Sequence, residues 1–90
     1  VNNATLPDEL ESRLAVLAPL RVVLFDDSAK HAGHAGARGG AHYRLTIVSP
    51  QFTGKSTLAR HRLIYAALGD LMHGRIHAMS IEALAPGEVQ

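Results

Sequence analysis

His42-Tyr43-Arg44-Leu45-Thr46-Ile47-Val48-Ser49 alternates in character: Tyr43, Leu45 and Ile47 project to one side, His42, Arg44 and Thr46 to the other. That is the pattern of a half-buried strand. A turn, Phe52-Thr53-Gly54-Lys55, leads into a helix opening Leu58-Ala59-Arg60-His61-Arg62-Leu63-Ile64-Tyr65. Ile64, Ala67, Leu68 and Leu71 recur there at helical spacing, while Arg62, Gly69 and Asp70 fall on the opposite arc, so one side packs and the other meets water. Gly74 is the expected stop, and Ile76 to Leu84 reads as another strand. A strand-helix-strand unit of this kind predicts parallel strands joined by a right-handed crossover.

Towards the N-terminus, Thr5 with Asp8 three residues on marks a helix start, and Pro7 is tolerated in the first turn. Leu6, Leu10, Leu14 and Leu17 share one face, and Pro19 ends the helix. Leu20 to Phe25 is a β-rich run bounded by Asp26-Asp27-Ser28, predicted to pair antiparallel with residues 42–49. Between these strands lies a glycine-rich stretch with little to bury. Residues 29–40 are therefore expected to form a loop that is mobile without a partner. The resulting order is α-β-β-α-β, an α+β fold with the helices on one face of a three-stranded mixed sheet. Residues 1–90 read as a single domain whose ordered core spans about 6–85.

Ninety residues with 47% apolar content suffice for one small core. The chain has no cysteine, which removes a disulfide framework and any thiolate metal site built by this chain alone. Metal binding must then rest on histidine. No apolar run approaches the ~18 residues of a membrane span and the N-terminus lacks a signal pattern, giving the expectation of a soluble cytoplasmic protein. A formal charge of +1 lacks the strongly basic balance of a dedicated nucleic-acid binder.

Four features bear on chemistry. Ser49 to Ser56 ends Gly54-Lys55-Ser56 between strand and helix, like a phosphate-binding loop. Serine replaces the motif's first glycine, however, and Pro50 removes an amide, so a tight turn with a solvated lysine is the better reading. Arg60-His61-Arg62 is the second feature; Arg62 faces solvent and His61 falls in the apolar arc as a partly buried histidine. With Lys55, Arg60 and Arg62 offer a basic surface for phosphates or an acidic partner. His31 and His34, on the glycine-rich loop, are either two solvated imidazoles or metal ligands. His77 is the fourth, and alternation puts it with Met79 and Ile81 at the edge of the core.

The segments quoted above, with Ile76-His77-Ala78-Met79-Ser80-Ile81 at this spacing, resemble the BolA-like family over nearly the whole chain. Asp27-Ser28-Ala29-Lys30-His31-Ala32-Gly33-His34 resembles the loop of the subgroup that carries histidine there instead of cysteine. The resemblance implies a class II KH-like fold and a partner of monothiol glutaredoxins. It implies a heterodimer sharing or transferring a [2Fe-2S] cluster, with the glutaredoxin cysteine and glutathione as thiolates. On this side the implied ligands are His77 and a loop histidine, His31 or His34, meeting from opposite ends of the sheet. Alone, the chain is expected to be a cluster-free monomer. The alternative implied is KH-like nucleic-acid binding in transcriptional control through Lys55, Arg60 and Arg62. The G-x-x-G loop of KH domains is incomplete here, with a single glycine in Thr53-Gly54-Lys55-Ser56. An enzyme is not expected, since no nucleophile and base stand at recognisable spacing.

Overall fold

A computed structural model describes residues 5–27, 41–73 and 75–89, with the backbone alone for Ala41 and His77. Its elements are α1 (Leu6–Leu14), β1 (Arg21–Asp26), β2 (Ala41–Val48), α2 (Thr57–Leu68) and β3 (Ile76–Leu84). Short 3-10 turns cover Ala15–Leu17, Pro50–Phe52, Gly69–Met72 and Pro86–Glu88. The strands form one mixed sheet in the order β1-β2-β3. β1 runs antiparallel to β2, from Arg21 opposite Val48 to Asp26 opposite Tyr43. β3 runs parallel to β2, and α2 makes the crossover between them. This is the expected α+β order with β2 at the centre.

α1 starts where the sequence marks it. Asp8 N donates to Thr5 Oγ1 (3.3 Å) and Thr5 N donates to Asp8 Oδ2 (3.2 Å), which satisfies two of the amides a helix start leaves open. Leu10, Leu14 and Leu17 are buried, and Leu6 packs against them. α2 ends earlier than expected. Its stop is Gly69, at φ +54, and not Gly74, because the chain tightens into the 3-10 turn that seats Leu71 in the core. Arg13 fixes this end by donating to the Leu68 carbonyl (2.9 Å) and pairing with Asp70 (3.0 Å), whose carboxyl it holds below the usual range.

The core lies between the helices and one sheet face. Tyr43, Leu45 and Ile47 from β2 meet Leu10, Leu14, Ile64 and Leu68 from the helices. Phe52, completely buried, closes the core from the turn after β2. The other sheet face is open, with Val23 and Phe25 exposed beside Arg44 and Thr46. Among the described residues no helix is long and apolar enough to cross a membrane.

Candidate partner and metal site

One end of the sheet gathers what the sequence singled out. β1 finishes there while β2 and β3 begin, because β1 is antiparallel to β2 and β3 is parallel to it. The segment joining Asp27 to Ala41 therefore leaves and re-enters at the end where His77 sits. Asp27 N donates to the His42 carbonyl (2.7 Å), which holds its two roots together. His31 and His34 lie outside the described residues, as do residues 29–40. The expectation that the two ligand groups approach from opposite ends of the sheet is thus corrected: the roots of their segments share one end, on either side of β2.

The β2–β3 register breaks at this point. Ala41 is opposite Ile76, but His42 is opposite Ala78, so His77 is an extra residue on β3 with no partner across the ladder. Such bulges re-aim the chain locally and recur beside functional sites. The bulge also limits the sequence argument. Beyond it the alternation holds, with Ala78 and Ser80 exposed and Met79 and Ile81 partly buried, but Ile76 is buried too, so the pattern does not carry through position 77.

Charged groups surround these roots. Arg44 Nε pairs with Asp27 Oδ2 (2.7 Å), and its guanidinium carbon lies 4.5 Å from the centre of the Phe25 ring. Burial, with Asp26 adding to it, raises the Tyr43 phenol above its ordinary pKa, and Arg75 partly offsets this. Arg75 pairs with Glu9 of α1 (2.8 Å). Among the described residues no three histidine, cysteine or carboxylate side chains gather into a metal site.

At the opposite end of β2 the Gly54-Lys55-Ser56 motif is structural. Gly54 takes φ +76 in the turn, and Ser56 Oγ caps α2 by accepting from Ala59 N (3.1 Å). Lys55 and Arg62 are exposed, and His61 is half-buried as expected. Arg60 departs from the proposed basic surface. It donates to the carbonyls of Lys55 and Ala83 (2.9 Å each) and makes a two-pronged pair with Glu88, whose second contact is 2.8 Å. Its side chain is only 11% exposed. The hydrogen bond to Arg60, then that from Ala85 N, hold the Glu88 carboxyl down at about 2, and Glu88 in turn raises the guanidinium. Arg60 thus ties α2 to the C-terminal turn, and only Lys55 and Arg62 of the three remain as outward cations.

Residues 14–88 match the family model of the BolA-like proteins. The chain belongs to that family. This BolA-like chain is 47% identical over 79 residues to SufE-like protein 1, chloroplastic/mitochondrial, of Arabidopsis thaliana, covering 81% of this chain and 21% of the relative. It is 43% identical over 75 residues to the UV-induced protein uvi31 of Schizosaccharomyces pombe, covering 77% of this chain and 74% of that one. The solved BolA domain of SufE1 from Arabidopsis thaliana superposes with a TM-score of 0.81 at 39% identity, over 98% of this chain and all of that one. This BolA-like chain thus spans about a fifth of SufE-like protein 1 and the whole of its solved BolA domain.

Two side chains that join elements of this chain escaped the sequence reading. Ser49, fully buried, donates to the Leu17 carbonyl (2.6 Å) and accepts from Gln51 N (3.1 Å). Its place before Pro50, where a hydroxyl can cap the turn that follows, was the available signal. Glu88 was missed as well, though it stands three residues after Ala85 with Pro86 between, the spacing of a capped turn.

Proposed function

We propose that this BolA-like protein partners a monothiol glutaredoxin and takes one side of a shared [2Fe-2S] cluster, in cluster maturation or iron regulation, as a holder of cargo and not as an enzyme. The observation that carries this reading is topological: both roots of the histidine-bearing segment and the bulged His77 lie at one end of the sheet, one strand apart. His77 and either His31 or His34 are the ligands in this reading. With no cysteine, the chain supplies only imidazole donors, so the thiolates come from the partner's cysteine and glutathione. Mixed imidazole and thiolate ligation of a two-iron cluster is established chemistry, known from Rieske centres. The commitment of Arg60 to Glu88 weighs against nucleic-acid binding through Lys55, Arg60 and Arg62. A cytoplasmic setting remains part of the proposal, although the name of one relative is chloroplastic/mitochondrial.

The test is to add this protein to a glutaredoxin carrying its cluster, with glutathione, and follow visible absorption and circular dichroism. A new spectrum and a longer-lived cluster are expected. The His77→Ala variant should alter that spectrum and hasten cluster loss more than His31→Ala or His34→Ala alone, because each loop histidine has a neighbour that can replace it. An ordinary imidazole has a pKa of ~6.5 and must be neutral to ligate, so the complex should also become labile towards pH 5. A His77→Ala complex with wild-type spectrum and lifetime sinks the ligand assignment; no spectral change with the wild-type protein sinks the partnership.

A further inference from the structure

We propose that the outward side of α2, near the Val48 end of β2, is a docking surface for an acidic amphipathic helix of another protein. The proposal is independent of the cluster reading, since His77 lies at the opposite end of the sheet.

The two helices differ on their outward sides. α1 buries Leu10 and Leu14 and turns Asp8, Glu11 and Ser12 to solvent, an ordinary amphipathic division. α2 also buries one side, through Ile64 and Leu68, yet its outward side presents Leu58 and Tyr65, 60% and 44% exposed, with Arg62 between them. Positions 58, 62 and 65 are spaced four and three apart, so they form one stripe about two turns long. A helix that is apolar on both sides is usually covered on both sides. Val16, 69% exposed, adds apolar surface from the 3-10 turn that lies against α2.

Charge decides what fits there. Arg13, Arg44, Arg60 and Arg75 each pair with a carboxylate. Arg21, Lys55 and Arg62 are exposed and have no ion-pair partner among the described residues. Arg21 stands opposite Val48, Lys55 lies in the turn that leads into α2, and Arg62 is on the stripe itself. Residues 28–69 contain no aspartate or glutamate, so the turn and α2 supply no counter-charge of their own. Such a surface attracts carboxylates and repels a basic partner.

The surface is also held ready. Ser56 caps α2, and Arg60 Nε donates to the Lys55 carbonyl (2.9 Å), so the backbone that carries Lys55 is fixed before anything binds. A partner helix lays apolar side chains at helical spacing on Leu58 and Tyr65 and sets carboxylates beside Arg62 and Lys55. A nucleic-acid backbone makes no use of exposed leucine and valine. Anionic bilayers are recognised by clusters of about four to eight cations, more than this surface holds.

The test titrates the isotope-labelled chain with an amphipathic peptide of leucine and glutamate, and with a counterpart in which lysine replaces every glutamate, following backbone amide shifts. The acidic peptide should shift Val16, Leu58, Arg62 and Tyr65, bind about tenfold tighter than the basic one, and weaken as salt rises. Lys55→Glu combined with Arg62→Glu should reverse that preference, and Leu58→Ser should weaken the acidic peptide, each with an unchanged circular dichroism spectrum. Equal affinity for the two peptides, shifts centred on other residues, or an unchanged preference in the folded double variant overturns the proposal. So does binding to phosphatidylglycerol vesicles or to a single-stranded oligonucleotide when the acidic peptide does not bind. A concentration-dependent dimer that masks the same amides assigns the surface to a second copy and overturns it too.

Discussion

The two ends of β2 are built differently. At the Val48 end two polar residues tie several elements together: Ser49 N bonds to Leu84 O, Ser49 Oγ to Leu17 O, and Arg60 joins α2 to Ala83 and Glu88. At the Ala41 end the ladder slips by a residue, and the ties among the described residues include the Arg44–Asp27 and Arg75–Glu9 pairs and a backbone bond between Asp27 and His42. Among the described residues, the buried polar side chains that join elements, Ser49 and Arg60, thus lie away from the segments proposed to meet the cluster.

Substitutions should separate the ends. Phe52→Ala, at the tied end, removes a completely buried ring and should lower unfolding free energy by about 3–5 kcal/mol in a urea titration. A smaller loss, about 1–3 kcal/mol, is expected for Ser49→Ala, which leaves the Leu17 carbonyl and the Gln51 amide without their buried partner. Glu88 gives the pH dependence. Its carboxyl lies at about 2 in the folded chain against an ordinary 4.5, so its contribution is complete above pH 4.5 and fades as pH falls towards 2. The Tm of Glu88→Gln should accordingly fall less steeply than that of the natural sequence across this window. Phe25→Ala, at the other end, should cost less than Phe52→Ala, because about half of the ring is already exposed and its contact with Arg44 is worth about 1 kcal/mol or less. A Phe25→Ala cost matching that of Phe52→Ala would erase the contrast.

Periodicity revealed most of the fold. The alternation of Tyr43, Leu45 and Ile47 and the helical spacing of Leu10, Leu14, Ile64 and Leu68 each match a buried face, since burial is decided by hydrophobic pattern at these two periods. The end of α2 was harder to read, because Gly69 and Gly74 are both chemically able to stop a helix and only packing of Leu71 chooses between them. For the candidate site, the sequence marked residue types but not company. Arg60 looks like any surface arginine beside Arg62 until Glu88, twenty-eight residues on, is folded against it. The bulge at His77 likewise depends on how β3 aligns with β2, which no local pattern contains.

The parallel pairing of β2 with β3 also governs how the chain assembles. Val48 can meet Leu84 only after the whole crossover has been laid down, whereas Asp26 meets Tyr43 across a much shorter stretch. Contacts so distant along the chain raise the contact order, and closure of the β2-α2-β3 unit is the expected rate-limiting step, to be checked by the folding rates of single variants. Leu45→Ala, in the strand common to both pairings, should slow folding. Leu24→Ala in β1, whose pairing with β2 closes the shorter stretch first, should slow folding as well.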